Sequence, residues 1–290
     1  MKKITIIVPV YNDWESLKKL LIEINDNITA IENVSINCLV INDASTISQP
    51  KLTKPDNFKS LQILNMTINR GHARCNAFGI RYVNKKGDFD NLILMDGDGE
   101  DRPVEIKKLI SEITQKPENS VVAKRIKRSE GPFFQFLYFM HKLITLVFTG
   151  KKVNFGNYSC LTKKDVATLS SKASLWSSYS GTVKKYLKVL NEVESIRGKR
   201  YYGPSKMSLF RLFIHSFSII AVFKYQVLFR SAIIVIVLKY LNIYLSFNFI
   251  FFQILIIIFC IIIFLVSTRE KKEDLINSQN NLNSIKDITH

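Results

Sequence analysis

Residues 92–101 read LILMDGDGED, and they decide how the rest of the chain is interpreted. A short apolar run, typical of a buried strand, ends here in four carboxylates within six positions. Such a cluster repels itself unless a cation binds it. Alternate residues at the end of an extended strand point the same way, so Asp96 and Asp98 can share a divalent ion whose other ligands are diphosphate oxygens and water. Gly97 and Gly99 would let the backbone approach that ligand closely.

Two rival interpretations of this acidic stretch are less consistent with the residues. An EF-hand needs glycine at the sixth position of its loop and glutamate at the twelfth, where this chain has Asp101 and Lys107, so calcium storage is not expected. An ordinary acidic surface turn is the second rival. The strongly apolar run before the carboxylates disfavours it.

Further short apolar runs occur along the first half of the chain, with helical patterns between several of them. This alternation predicts a doubly wound, Rossmann-like α/β domain. Polar clusters follow three of the runs directly, at the strand ends where open α/β sheets bind their ligands. The predicted strands are 4–10, 36–41, 61–66, 92–95 and 120–123, the predicted helices are 14–25, 72–84 and 103–115, and the polar clusters are Asn42-Asp43, Asn69-Arg70-Gly71 and Asp96-Gly97-Asp98.

The last third of the chain is apolar enough to enter a membrane. Residues 248–267 reach the length of about 20 residues needed to cross hydrocarbon. The preceding run is also apolar, and its Arg230 and Lys239 are tolerable near the ends of a helix. Basic residues flank the whole block on both sides, which places both flanks in the cytoplasm. We therefore predict a hairpin of two transmembrane helices in residues 227–268, with a single span as the alternative.

The patterns of apolar and charged residues also predict the structure of the segments before and after the hairpin. Residues 1–206 are predicted to form the α/β domain, within which residues 133–149 are expected to be buried or to graze the membrane. Residues 207–226 place isolated charges in an apolar helical pattern, which predicts an interfacial amphipathic helix, with an ordinary core helix as the alternative. The polar residues 269–290 are expected to form a flexible cytoplasmic tail.

The net charge limits the classes of binding partner, and the cysteine spacing bears on disulfides and zinc sites. The chain has 290 residues and a formal charge of +17, which favours phosphates, anionic lipids or nucleic acid as partners. Nucleic acid is not expected, because no zinc-finger spacing or RNA-binding aromatic signature accompanies the charge. Four widely spaced cysteines suggest neither a disulfide framework nor a zinc site. The N-terminal apolar stretch is too short for a signal peptide, so the first domain is expected in the cytoplasm.

Taken together, the motifs resemble those of family 2 glycosyltransferases of the GT-A fold, and within them the polyprenyl-phosphate sugar transferases of the dolichyl-phosphate mannose synthase type. The resemblance covers roughly residues 3–270. It rests on the order of five segments, namely VPVYN at 8–12, INDAS at 41–45, NRG at 69–71, MDGDGEDRP at 95–103 and RYYGPSK at 200–206.

The resemblance implies a donor site and a metal site. Asp96 and Asp98 match the metal-binding carboxylates of the family, and Glu100 stands where relatives carry a glutamine ligand, so Mg²⁺ or Mn²⁺ is the expected cofactor. Asp98, Glu100 and Asp101 are the expected catalytic group. The residues expected to bind the nucleotide-sugar are Pro9, Tyr11, Asp43, Asn69, Arg70, Gly71 and Asp96. A surface salt bridge is the alternative role for Arg70, and Asn42 departs from the family's acidic pair.

The resemblance also implies a site for the acceptor phosphate. Arg125 matches a phosphate-binding arginine, and Arg200, Ser205 and Lys206 look like a second phosphate clamp. A basic loop that leads into an interfacial helix lies at the depth of lipid head groups, which supports this interpretation independently. Residues 155–158 loosely resemble a segment near the sugar pocket. His72, His141 and His215 lack spaced partners and are interpreted as structural or interfacial.

The function implied is direct, inverting transfer of a sugar from a nucleotide-sugar to a polyprenyl phosphate by a multi-pass enzyme of the inner membrane whose catalytic domain faces the cytoplasm. One alternative is transfer to a hydroxyl group of a glycolipid or polysaccharide, with a carboxylate such as Asp101 as base. A non-catalytic membrane scaffold and a nucleotidyltransferase are the rival classes of protein. Expected partners are the donor, a lipid-linked acceptor, membrane lipids and, as an option, further copies of the chain.

Overall fold

The structure, a computed structural model, describes residues 1–127, 132–204, 208–245 and 248–289. Within these ranges eight strands form one mixed sheet in the order β7-β5-β6-β4-β1-β2-β3-β8. The predicted α/β class is confirmed. The strands are β1 Lys2–Val10, β2 Val34–Asn42, β3 Phe58–Met66, β4 Asn91–Leu94, β5 Val121–Lys127, β6 Phe155–Thr162, β7 Asn191–Ile196 and β8 Leu282–Ile288.

Helices cover both faces of the sheet. They are α1 Trp14–Ile28, α2 His72–Lys86, α3 Ile106–Gln115, α4 Pro132–Thr149, α5 Lys163–Ser170, α6 Tyr179–Tyr186, α7 Leu209–Ala221, α8 Lys224–Leu245, α9 Ile250–Ser267 and α10 Lys272–Ile276. The predicted helix 103–115 divides into a 3₁₀ turn, Pro103–Glu105, followed by α3. Proline suits that first position because it has no N–H to leave unpaired.

The central strands are apolar on both faces. β1 is buried from Ile4 to Val10, as expected for parallel strands that lie between helical layers. Ile4 and Ile6 pack on the α1 side of the sheet, whereas Ile7 belongs to the core under α2. β1 pairs in parallel with β2 and β4, so the carboxyl ends of all three strands meet at one edge of the sheet.

The C-terminal tail is folded, contrary to the expected flexibility of residues 269–290. It forms α10 and then β8, which pairs antiparallel with β3 from Leu61↔Ile288 to Met66↔Leu282. β8 supplies hydrogen-bonding partners along a side of β3 that would otherwise be an open sheet edge. The sheet of the first domain therefore extends beyond residues 1–206. Most side chains of β8 are exposed, so the segment lacks the apolar alternation that would reveal a strand.

Within the described residues, two helices have the length and composition to cross a membrane. α8 has 22 residues and a mean hydropathy of 1.7, and the helical stretch that begins with α9 reaches 3.2. Only 11% of each apolar window is buried in the protein, so these side chains face outward. α7 ends at Ala221, and α8 begins at Lys224, three residues before the predicted boundary at 227.

The other two apolar helices pack against this pair. Phe148 of α4 lies 4.6 Å from Phe259 of α9, measured between ring centroids. The first half of α4 is not buried, because Phe133, Phe136 and Phe139 are all exposed. α7 exposes Leu209, Phe210 and Phe213 in its first turns and buries residues 218–221 at its end, so only its first half has apolar side chains that a membrane surface could cover.

Candidate functional site

The acidic loop follows the buried strand β4 and lies beside the end of β1. Two glycines allow this arrangement. A Cβ atom on Gly97 would lie 2.9 Å from the carbonyl oxygen of Pro9. Gly99 has a φ of 86°, and a Cβ atom there would lie 2.5 Å from the ring of Tyr201. Larger residues at these two positions would push the loop away from its neighbours.

Asp101 stabilises the turn of the acidic loop through a hydrogen bond to its backbone. Its Oδ2 accepts a hydrogen bond of 3.0 Å from the backbone N–H of Asp96. Only 4% of Asp101 is exposed, and burial together with the negative charge of Asp96 raises the pKa of its carboxyl group to about 7. The side chain that was expected to be catalytic thus stabilises the turn that presents the other carboxylates.

Asp96 has a histidine and an amide as partners. Nε2 of His72 and Nδ2 of Asn157 each lie 3.1 Å from Oδ1 of Asp96, and these two nitrogens are 2.8 Å apart. Burial alone would raise the pKa of Asp96, but the charge and hydrogen bond of His72 hold it well below its usual value. The structural interpretation of His72 was therefore incomplete. Its position directly after Asn69-Arg70-Gly71 was the available signal.

Two arginines contact the other carboxylates of the loop. Arg200 donates a bond of 2.7 Å from Nη1 to Asp98 and also pairs with Asp13, and Arg197 pairs with Glu100. Burial and the charge of Asp96 raise the pKa of Asp98, and burial raises that of Glu100. The sequence motifs predict that Arg200 binds an acceptor phosphate, whereas none of the motifs includes Arg197.

Backbone bonds keep the segment with these arginines over the acidic loop. The N–H of Gly198 donates to the carbonyl oxygen of Glu100 at 2.8 Å, and the N–H of Tyr201 donates to the carbonyl oxygen of Asp98 at 2.9 Å. A Cβ atom on Gly198 would lie 2.7 Å from the carbonyl oxygen of Gly99. The acidic loop and residues 197–201 thus form one unit with alternating negative and positive side chains.

Asp43 organises a second part of the site at the ends of β2 and β3. Its two carboxylate oxygens accept bonds of 2.8 Å from the backbone N–H groups of Arg70 and Gly71. Only 3% of Asp43 is exposed, and burial raises the pKa of its carboxyl group. Gly71 adopts a φ of 89°, which favours glycine. Asn42, the departure from the family pattern, bonds Asn65 and the N–H of Ser45.

The remaining predicted residues occupy the same edge of the sheet with different exposure. Pro9 is buried in β1, Tyr11 is 40% exposed just beyond it, and Asn69 and Arg70 are exposed. Arg125 lies in β5 against Gly156, and its charge lowers the pKa of Asp96 and Asp101. The predicted Ser205 and Lys206 lie outside the described residues.

The carboxylates have the chemistry of a metal site but are paired with cations of the protein. In the described ranges, no group of three or more His, Cys, Asp or Glu side chains is arranged to hold a metal ion. The charge of Asp96 nevertheless raises the pKa of both Asp98 and Asp101, so negative charge is concentrated at this loop. Carboxylate oxygens are the ligands that Mg²⁺ and Mn²⁺ prefer, and a divalent cation would relieve that repulsion. The donor set of Asp96 and Asp98 therefore fits such an ion.

Carboxylates and backbone amides gather at the carboxyl ends of the parallel strands, the edge at which open α/β sheets bind their ligands. The sequence model described as Glycosyl transferase family 2 matches residues 5–175, more than half of the chain. The chain therefore belongs to glycosyl transferase family 2, the family indicated by its motifs.

Two relatives are similar to the chain at low sequence identity. The chain is 25% identical over 221 residues to an undecaprenyl-phosphate 4-deoxy-4-formamido-L-arabinose transferase of Salmonella choleraesuis, an alignment that covers 73% of this chain and 64% of that protein. The enzyme of the same description from Yersinia enterocolitica is 26% identical over 162 residues, 56% of this chain and 48% of the relative. The chain thus spans less than two thirds of the length of these relatives.

Two solved structures align with the chain at low sequence identity and with TM-scores below 0.5. Staphylococcus aureus TarS in complex with UDP-GlcNAc aligns with 86% of this chain and 74% of its own, at 11% identity and a TM-score of 0.46. Glucosyl-3-phosphoglycerate synthase from Mycobacterium tuberculosis, in complex with Mn²⁺, UDP and glucosyl-3-phosphoglycerate, aligns with 78% of this chain and 80% of its own, at 13% identity and a TM-score of 0.45.

Proposed function

We propose that this chain is a membrane-anchored inverting glycosyltransferase that moves a sugar from a nucleotide-sugar to a polyprenyl phosphate. The observation that carries the proposal is the unit formed by the acidic loop and the arginine-bearing residues 197–201, which precede the apolar helices. The acidic loop can bind a diphosphate through a divalent cation, and residues 197–201 can bind a phosphate directly. Family membership supports the reaction class, and the relatives described as undecaprenyl-phosphate transferases support the acceptor class.

The donor would bind at the ends of β1, β2 and β3. Asp43 holds the amides of Arg70 and Gly71, so the backbone of this loop is rigid where a nucleoside would contact it. Tyr11 is exposed beside it and can pack on a base or ribose. Pro9, Asn69 and the Arg70 side chain complete the proposed donor site.

Asp96 and Asp98 would hold the divalent cation, with Glu100 as a further oxygen donor. When bound, Mg²⁺ or Mn²⁺ would neutralise charge on the departing diphosphate. Arg200 contacts Asp98 in the described structure, so it would exchange this partner for a phosphate as the site fills. A guanidinium suits both partners, because its planar fork binds carboxylate and phosphate in the same bidentate manner.

The acceptor phosphate would be held by Arg125 and Arg200, with Ser205 and Lys206 as predicted additional contacts. A phosphate oxygen attacks C1 of the sugar while the bond from C1 to the diphosphate oxygen breaks, which inverts the configuration. A phosphate acceptor is already anionic, so no residue has to remove a proton. Asp101 then acts as a positioning residue for the acidic loop.

Transfer to a hydroxyl group is the second candidate, and one observation favours it. The pKa of Asp101 is raised to about 7, which is the range where a carboxylate is effective as a general base. Its bond to the N–H of Asp96 leaves lone pairs for a second contact. This function would require the acceptor hydroxyl to reach a side chain that is 4% exposed.

The membrane arrangement that we propose is a hairpin with both ends in the cytoplasm. β8 follows the apolar helices in the chain and pairs with β3, which precedes them. Two paired strands occupy one compartment, so the chain between them crosses a membrane an even number of times. Two crossings by α8 and α9 satisfy this condition, and the flanking basic residues favour the cytoplasmic side.

A single experiment tests the reaction class and the acceptor together. The purified protein is incubated with a panel of nucleotide-sugars and Mg²⁺ or Mn²⁺, in parallel with undecaprenyl phosphate or with a glycolipid that has a free hydroxyl group, and the lipid is analysed by mass spectrometry. A mass increase equal to one sugar residue is the expected result. Transfer to a glycolipid hydroxyl but not to the lipid phosphate would favour the second candidate, and no transfer from any donor would contradict the proposal.

A further inference from the structure

The segment after the last apolar helix contacts the loop that leads from β3 into α2. Asn281, the residue before β8, makes four hydrogen bonds to this loop. Its carbonyl oxygen accepts from the backbone N–H of Thr67 and from the Thr67 hydroxyl, both at 2.8 Å. Its side chain accepts from the N–H of Ile68 at 3.2 Å and donates to the carbonyl oxygen of Ile68 at 3.1 Å.

These bonds restrain the residues immediately before the amides that hold Asp43. Ile68 is followed by Asn69, Arg70 and Gly71, and the last two donate their N–H groups to Asp43 at 2.8 Å each. Residues 67–70 are exposed, so core packing contributes little to the conformation of this loop. Both backbone polar groups of Ile68 are fixed by one side chain, which leaves that peptide segment a single orientation.

Neighbouring contacts attach the same tail to α2. Nζ of Lys85 donates to Oε1 of Gln279 at 2.9 Å, and a guanidinium nitrogen of Arg81 donates to the carbonyl oxygen of Ile276. The tail is therefore bound to the elements on both sides of the loop, β3 and α2. Asn281 lies at the point where these two attachments meet.

We propose that Asn281 is a positioning residue for the nucleotide-sugar site, which it supports from the C-terminal side of the membrane helices. This inference rests on the proposed function, because it assigns the loop 67–71 to donor binding. The side chain of Asn281 orients Ile68, and Ile68 sets the direction in which the amides of Arg70 and Gly71 meet Asp43. Donor affinity then depends on a segment far from the family motifs in the sequence.

The test compares Asn281→Ala with Asn283→Ala in the full-length protein. Asn283 is an exposed residue of β8 and serves as the matched control. Binding of UDP, GDP, CDP and ADP is measured by calorimetry with Mg²⁺, together with the melting temperature and the KM for undecaprenyl phosphate. Loss of two partly exposed hydrogen bonds should raise the Kd of the preferred nucleotide about 3- to 10-fold. The acceptor KM should stay constant, and Asn283→Ala should change neither value.

Two further variants separate positioning from general destabilisation. Asn281→Asp keeps the acceptor for the N–H of Ile68 but loses the donor, so its Kd should lie between those of wild type and Asn281→Ala. In an Asp43→Asn background, where the anchor of the loop is already weakened, Asn281→Ala should have a smaller effect. An unchanged Kd in Asn281→Ala, or an effect that is fully additive with Asp43→Asn, would overturn the proposal.

Hydrogen exchange distinguishes failure of this inference from failure of the proposed function. The amides of residues 68–71 should exchange faster in Asn281→Ala than in Asn283→Ala, whether or not a nucleotide binds. If the wild type binds none of the four nucleotides, the donor assignment fails. Unchanged exchange at these amides would overturn the positioning role of Asn281 itself.

Discussion

Replacing Arg200 with alanine should have opposite effects on two properties of the proposed site, namely use of the acceptor and affinity for the divalent cation. Arg200 lies between Asp98 and Asp13 with 17% of its side chain exposed, so it neutralises a carboxylate that we assign to the cation. The same guanidinium is assigned to the acceptor phosphate. Its removal should therefore weaken use of the acceptor and strengthen binding of the cation.

The size of both effects follows from the contacts. A hydrogen bond to a charged group contributes about 1.5 to 3 kcal/mol, so loss of the phosphate contact should lower kcat/KM for the acceptor about 10- to 100-fold. Loss of the competing contact to Asp98, in a partly exposed pair, should lower the Kd for Mn²⁺ about 3- to 10-fold. Arg200→Lys should restore acceptor use only in part, because lysine lacks the bidentate fork.

The assay measures transfer to undecaprenyl phosphate at several acceptor concentrations, and binding of Mn²⁺ and of the nucleotide by calorimetry. Lys199→Ala is the matched control, because Lys199 is an exposed neighbour of the same charge. Nucleotide affinity at saturating Mn²⁺ should be unchanged in both variants. If acceptor kinetics are normal in Arg200→Ala, or if nucleotide affinity falls in parallel with transfer, the phosphate-binding role of Arg200 is refuted.

Three further predictions address the loop, and a fourth the membrane. Asp98→Ala should abolish transfer and leave the melting temperature within a few degrees of wild type, because it removes an expected ligand and empties no core; near wild-type turnover would disprove the metal assignment. Asp101→Asn should keep most activity with a phosphate acceptor and lose it with a hydroxyl acceptor, so turnover with the two acceptors identifies the reaction. Gly97→Ala should lower both stability and activity, because its Cβ atom would lie 2.9 Å from the carbonyl oxygen of Pro9. The free energy of unfolding, measured by chemical denaturation, should fall by about 1 to 3 kcal/mol. An unchanged free energy of unfolding would show that the loop has room to shift. Reporter fusions before Met1 and after His290 should both be cytoplasmic, and fusions on opposite sides would exclude the hairpin.

Much of the site could be predicted because its residues follow strands directly. Asp43, Gly71 and Asp96 each come after an apolar run, and the carboxyl ends of parallel strands meet at one edge of the sheet. His72 directly follows Asn69-Arg70-Gly71 and could be assigned in the same way, whereas Arg197 and Asn281 could not. Each of them acts through a residue distant in sequence, such as Arg197 on Glu100 and Asn281 on Ile68. Such pairings leave no local pattern in a single sequence.

The α/β class, the five strands of the first half, the acidic loop and the two apolar helices can all be recognised in the amino-acid sequence. These features arise from local periodicity and from runs of one residue type, which neighbouring residues alone specify. The pairing of the polar tail with β3 as an eighth strand, and of Arg200 with Asp98, arises only when the chain folds. The physical reason is the same in both cases: an open sheet edge and a buried charge each require a partner, and folding supplies that partner from a distant part of the chain.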